Sequence, residues 1–239
     1  MLSRTGMVIV ANVDLQLLEP ARYDHDPVVA PAPIVLQSQP TRYSRFLKRP
    51  FDLVAASVGL LVLTPVLLLI ALLVRINLGK GGIIYRQQRV GRNGQSFDIL
   101  KFRSMLPDRR TGRKAYIGPE RRKTHKSAED PRHTRFGRFL RASSLDELPQ
   151  LINVIRGDMS LIGPRPELVS VAAREGFLVH PRHLERPGIT GRFQISELRA
   201  KNRISAGLHL DVAYVANVRF ITDMGILFKT MFVLLGRGS

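Results

Sequence analysis

The sequence predicts a mixed α/β chain, mostly helical with a small β-hairpin. A membrane helix precedes a globular domain that carries amphipathic helices. Three observations lead there. Leu53 to Val74 are 22 residues without a charge, enough to span a bilayer. Two stretches with strand-like alternation flank Gly91-Arg92-Asn93-Gly94, in which Asn-Gly is a hairpin turn signal. Beyond Arg135, short apolar-periodic segments separated by Gly and Pro read as helices.

The chain divides into residues 1–40, 41–78 and 79–239. The first part has no sustained period and contains Pro20, Pro27, Pro31, Pro33 and Pro40, so it reads as a mostly disordered tail. Met7–Val13 could form a short strand. No basic start or small-residue cleavage site makes this part a signal peptide. In the second part Pro65 interrupts the apolar run, removing a backbone donor and kinking a helix, and Thr64 beside it can bond freed carbonyls. Arg42, Arg45, Lys48 and Arg49 precede the run, and Arg75, Lys80, Arg86 and Arg89 follow it. Basic flanks on both sides leave two arrangements open: a tilted, kinked transmembrane helix, or a re-entrant helix with both ends on the cytoplasmic face.

In the third part, Ile83–Gln88 and Ser96–Phe102 form the hairpin and deliver Lys101-Phe102-Arg103-Ser104-Met105 to its far end. Arg135–Arg141 reads as a short helix, a second helix starts near Ser144, and a third covers Pro166–Glu175. Pro181–Gly191 reads as a loop and Leu210–Val218 as a helix. Ile221–Leu235 places Ile221, Met224, Phe228, Met231, Phe232 and Leu235 on one broad face, the pattern of a helix that packs on a core or lies at a membrane interface, the second favoured by the apolar run elsewhere in the chain.

Charge narrows the partners. There are 37 Lys/Arg against 19 Asp/Glu, a net of +18, which implies a polyanion: nucleic acid, anionic lipid or phosphorylated substrates. From Lys101 to Arg141 there are fourteen Lys/Arg and four Asp/Glu, a net of +10; within it, 109–126 also reads as a solvated basic loop. Cysteine is absent, which excludes disulfides and thiolate chemistry.

Asp146 and Glu147 are the candidate reactive pair. Ser144-Leu145-Asp146-Glu147 before Leu148, Leu151, Ile152 and Ile155 is also the pattern of a capping box, in which Ser144 and Glu147 satisfy the helix start. Pro149 fixes that start within a turn, so the acids lie at a helix N-terminus among basic residues. A carboxylate so placed can hold a divalent cation or attack phosphorus, provided Arg, Lys or a metal offsets the repulsion. Pro164 and Pro166 stiffen the backbone around Arg165, which suits a guanidinium preset for phosphate, or one paired to a structural carboxylate.

Taken in order, these residues resemble the bacterial sugar transferases that prime exopolysaccharide, capsule and O-antigen assembly, the small monotopic phosphoglycosyl transferases. The matching pieces are Lys48-Arg49-Pro50-Phe51-Asp52, Thr64-Pro65, Lys101-Phe102-Arg103-Ser104-Met105, and Arg141 with Ser144-Leu145-Asp146-Glu147-Leu148-Pro149-Gln150-Leu151. They continue with Gly157-Asp158-Met159-Ser160, Gly163-Pro164-Arg165-Pro166, Arg186-Pro187-Gly188-Ile189-Thr190-Gly191 and Asp211-Val212-Ala213-Tyr214-Val215. The resemblance covers about residues 45–235.

It implies that a UDP-sugar donates its sugar 1-phosphate to a polyprenyl (undecaprenyl) phosphate in the membrane lipid, and that UMP leaves. Asp146 is then the nucleophile of a covalent phospho-sugar intermediate, Glu147 its helper, and Mg²⁺ sits near the pair with Asp146 as ligand. Lys101, Arg103, Arg141, Arg165 and Arg186 contact phosphates. Pro164, Asp211 and Tyr214 are further motif positions. The resemblance also implies a re-entrant helix broken at Thr64-Pro65, a monotopic enzyme on the cytoplasmic face of the bacterial inner membrane, and downstream glycosyltransferases as possible partners. One departure is that the family's Trp and Gly-Arg-Asn element after the Arg-Pro-Gly loop are absent; Arg192-Phe193-Gln194-Ile195-Ser196 stand there, in a region that bears on the choice of sugar.

Three other readings compete. An inactive membrane scaffold of a polysaccharide assembly complex is disfavoured by the intact Asp146, Glu147, Lys101 and Arg165. A tethered nucleic-acid-binding protein rests on net charge alone, without a recognition motif, so nucleic acid is not expected as a partner. A metal hydrolase built on His180-Pro181-Arg182-His183 lacks the helical spacing of a metal-binding histidine pair.

Overall fold

The computed structural model describes residues 41–106, 132–196 and 204–235. The strand expected at Met7–Val13, the tail 1–40 and the basic loop 109–126 lie outside the described residues.

The apolar run forms α1 (Lys48–Leu78), 31 residues and about 46 Å long at 1.5 Å per residue, after a π-helical turn at Tyr43–Leu47. It is long and apolar enough to cross a membrane. Where a break is expected at Thr64-Pro65, α1 continues as one helix. The Thr64 hydroxyl donates to the Leu60 carbonyl at 2.7 Å, a back-bond that bends helices without ending them.

One stripe of α1 faces the rest of the protein from end to end: Lys48, Asp52 and Ala56 are buried near its start, and Ile70, Val74 and Leu78 near its finish. Steps of three and four residues keep these on one side of a helix. The opposite face is bare apolar surface, including Leu61, Val62, Leu68 and Leu72. Ala56 joins a core cluster with Ile99, Val154 and Met159, while Ile70, Val74 and Leu78 join another with Phe102 and Leu140. The apolar helix is therefore part of the core of the globular domain, not a tether to it.

The hairpin forms as expected. β1 (Ile84–Val90) pairs antiparallel with β2 (Ser96–Phe102), and Asn93 takes the left-handed conformation the Asn-Gly turn requires (φ 56°). Among the described residues, three short helices and two short strands follow before the last two helices. α2 (Arg135–Ala142) is capped by the Thr134 hydroxyl, which accepts from the Gly137 N–H. α3 (Gln150–Arg156) docks on β2 through Asn153, whose side chain accepts from the Leu100 N–H and donates to the Asp98 carbonyl.

The third helix is shorter than the sequence suggests: α4 is Val169–Arg174, because residues 165–167 take no regular structure and Leu168, the residue before the helix, is extended. The segment read as a loop at Pro181–Gly191 holds a 3-10 turn (Pro181–Leu184) and a strand, β4 (Gly188–Thr190), parallel to β3 (Ser160–Ile162). Three-residue strands carry too little alternation to be read from sequence. α5 (Ile204–Val215) and α6 (Phe220–Leu235) complete the fold. On α6, Asp223 and Ile226 point inward while Phe220, Ile221, Phe228, Met231 and Phe232 are exposed, so the apolar face predicted for this helix is left uncovered.

Candidate active site

The acidic pair is held differently from the capping box. Ser144 adopts a left-handed conformation (φ 58°) and its side chain caps nothing; Leu145–Glu147 form a 3-10 turn, and α3 begins only at Gln150. Glu147 does not reach back to Ser144. Its Oε1 meets Lys101 Nζ at 2.7 Å, an ion pair between the 3-10 turn and the end of β2. The cap reading fails because the lysine at the far end of the hairpin offers the carboxylate a stronger partner than a backbone N–H.

Asp146 is buried, 7% exposed. Burial pushes its carboxyl up to about 6, with Glu147 adding to the rise and Lys101 and Arg141 opposing it. A carboxylate forced out of water beside two cations is primed for chemistry that spends its charge.

A cavity of about 270 Å³ opens beside the pair, lined by Lys101, Glu147 and Arg165 and, on its apolar walls, by Gly59 and Leu63 of α1 and Val233 of α6. Arg165 also pairs through Nε with Glu167 at 3.4 Å and lies over the Phe193 ring. Pro164 begins the segment that carries it. Here the backbone of β3 and β4 comes so close that a Cβ on Gly163 would lie 2.3 Å from the Arg186 carbonyl oxygen, and one on Gly188 about as near to the Gly163 nitrogen. Only glycine fits either position.

The remaining expected phosphate ligands sit around this centre, not all within it. The Arg141 guanidinium reaches the Ser104 carbonyl at 3.3 Å, close enough in charge to act on Asp146. Arg103 donates to the carbonyls of Leu78, Gly79 and Lys80 and so caps the end of α1. Arg186 donates to the Gly157 carbonyl at 2.8 Å, past the end of α3, and does not line the cavity. Asp211 pairs with the buried Arg182 at 2.5 Å. Tyr214 donates to Asp223 at 2.8 Å. The His183 imidazole, held down to about 3 by burial and by Arg182, lies 3.1 Å from the Phe177 carbonyl, an arrangement that suits a neutral ring donating to the backbone.

Sequence reading missed Arg89, Thr190 and Thr230, which also line the cavity. For Arg89 a signal existed. In the hairpin register Tyr85 opposes Lys101, Gln87 opposes Ile99 and Arg89 opposes Phe97, so strand parity puts Arg89 on the face of Lys101.

Among the described residues no group of three or more His, Cys, Asp or Glu could hold a metal ion. Mg²⁺ is usually bound by one or two carboxylates, with water and phosphate oxygens completing its shell, and Asp146 with Glu147 fits that donor set.

A family model described as bacterial sugar transferase matches residues 43–237. The chain is 44% identical over 205 residues to the exopolysaccharide production protein ExoY of Rhizobium meliloti, covering 80% of this chain and 87% of that protein. It is 41% identical over 204 residues to an undecaprenyl-phosphate galactose phosphotransferase of Salmonella typhimurium, covering 82% of this chain and 42% of that protein. It is 37% identical over 198 residues to a UDP-glucose:undecaprenyl-phosphate glucose-1-phosphate transferase of Escherichia coli, covering 79% and 40%. The chain thus spans most of the first of these relatives and about two-fifths of the other two.

Proposed function

The chain belongs to the bacterial sugar transferase family, and on that premise we propose that it transfers a sugar 1-phosphate from a UDP-sugar to a polyprenyl phosphate such as undecaprenyl phosphate. The product is a polyprenyl diphosphate sugar, the priming step of exopolysaccharide, capsule or O-antigen synthesis. The observation that carries this reading is the make-up of the cavity. Glu147 and the cations Lys101 and Arg165 line it, the buried Asp146 adjoins Glu147 in the chain, and the apolar helix α1 contributes Gly59 and Leu63. A water-soluble diphosphate and a lipid phosphate can meet there.

In the proposed reaction the Asp146 carboxylate attacks the sugar-linked phosphorus. A new oxygen–phosphorus bond forms, the bond to the UMP oxygen breaks, and UMP leaves with the electron pair. A polyprenyl phosphate oxygen then attacks the same phosphorus and releases Asp146. Lys101 and Arg165 offset the charge gathered on the phosphates, and Glu147, fixed by Lys101, orients the acceptor or takes its proton. Asp146 would hold Mg²⁺, which would supply positive charge to offset that of the diphosphate.

The test is product identity. Purified protein with undecaprenyl phosphate, Mg²⁺ and UDP-glucose or UDP-galactose is expected to release UMP. Release of UDP would mean direct glycosyl transfer and would sink the two-step mechanism.

The membrane arrangement proposed is monotopic, on the cytoplasmic face of the inner membrane. Its support is that both ends of α1 pack against one globular body while its outer face and that of α6 remain bare. A helix crossing the bilayer would drag part of that body into the hydrocarbon, where its charges are costly. Because the chain has no cysteine, single cysteines at Ser44 and Gly82 report cleanly. Both are expected to react only from the cytoplasmic side; reaction from opposite sides would establish a span.

A further inference from the structure

We propose that Thr190 is a specificity-determining residue that accepts a hydrogen bond from a hydroxyl or N–H of the bound nucleotide sugar, an inference resting on the reading of the cavity as the UDP-sugar site. Thr190 ends β4, is buried, and lines the cavity together with Thr230 of α6. Their hydroxyl oxygens are 2.6 Å apart, and distance alone leaves the donor undecided. We assign it from the next bond. The Thr230 hydroxyl donates to the Ile226 carbonyl one turn earlier, at 2.8 Å. A hydroxyl has one hydrogen. Thr230 has spent its own on the helix backbone, so the proton between the two oxygens belongs to Thr190.

Thr190 is then left with lone pairs only. On that assignment, among the described residues no protein group donates to its oxygen. A buried acceptor at the wall of a largely apolar cavity calls for a donor from whatever fills it. It also repels phosphate oxygens, which carry no hydrogen, so this wall takes the sugar or nucleoside end while Lys101 and Arg165 take the diphosphate. Gln194 and Ile195, in the segment where the chain departs from its family's pattern, line the same cavity. So oriented, the Thr190–Thr230 pair presents a hydrogen-bond acceptor to whatever fills this wall of the cavity.

The test uses the full chain in detergent or nanodiscs with Mg²⁺ and undecaprenyl phosphate. Thr190→Val keeps the β-branched shape and removes the acceptor. It is expected to raise KM for UDP-glucose or UDP-galactose about tenfold with kcat within about twofold, since loss of uniform binding moves KM alone. Thr190→Ser keeps the hydroxyl and is expected to restore KM. Direct binding of UDP identifies the partner. If Thr190→Val weakens UDP as much as UDP-sugar, the donor is on the ribose or base; if UDP is unaffected, it is a sugar hydroxyl. A KM within about twofold of wild type in Thr190→Val, or a raised KM that Thr190→Ser fails to restore, overturns the assignment. UMP release by the wild type is scored first, so failure of the transferase reading is seen separately from failure of the Thr190 reading.

Discussion

Asp146→Asn is expected to lower kcat for sugar phosphate transfer by at least about a thousandfold, the scale of losing a covalent nucleophile. The amide has the shape of the carboxylate but no charge to give to phosphorus. The one other acid on the cavity wall, Glu147, is held by Lys101 at 2.7 Å, and the polar neutral side chains there carry no charge to give to phosphorus. The measurement is UMP release, with membrane sedimentation and melting as controls. Residual activity above a tenth of wild type would remove Asp146 as the nucleophile.

The same variant carries an opposite expectation for stability. Burial raises the Asp146 carboxyl to about 6, above the ordinary aspartate value of 3.8 that applies when the chain unfolds. The folded state therefore holds the proton more tightly, and between these values stability falls as pH rises. The contribution is present in full below pH 3.8 and is lost as pH passes about 6. At neutral pH the buried charge costs on the order of 2–3 kcal/mol, which a neutral amide avoids. In metal-free buffer near pH 7.5, Asp146→Asn should melt higher than wild type and lose most of that advantage below about pH 5. A residue whose removal ends turnover yet firms the fold is kept for chemistry.

The long apolar helix, the hairpin and the acidic pair were legible in the sequence because each rests on local pattern: an uncharged apolar run, an Asn-Gly turn between alternating strands, and acids before a proline. The β3–β4 pair was not. It is six residues in two pieces, brought together by glycines at 163 and 188 whose need for close approach appears only in three dimensions. The capping box was a correct local pattern overruled by a lysine 46 positions away. Arg103 and Arg186 are expected phosphate ligands by charge and motif, and in the structure backbone carbonyls accept from both. Charge alone does not say whether an arginine's partner is a ligand or a helix end.

Asp223 was likewise invisible, an acid inside an apolar helix with no motif around it, and it supports the second large expectation. It is fully buried at 0% exposed and accepts from Lys48 Nζ at 2.7 Å and from the hydroxyls of Tyr43 and Tyr214, both at 2.8 Å. Burial and the Asp223 charge push both phenols up, so both act as donors. One carboxylate thus fastens the start of α1 to α5 and α6. Asp223→Ala would strand a buried ammonium and two phenols, at a cost of about 3–5 kcal/mol. That should lower Tm by about 10 °C, given the usual sensitivity for a chain of this size. Activity should fall further than the loss of fold explains, because the cavity is walled by Gly59 and Leu63 from α1 and by Thr230 and Val233 from α6. Pairing Asp223→Leu with Lys48→Met removes both charges and should recover much of the melting temperature but not all of the activity, since the tyrosines lose the group that sets the two helices in register. A Tm within about 2 °C of wild type for Asp223→Ala would mean the carboxylate is not what joins the long apolar helix to the rest of the site.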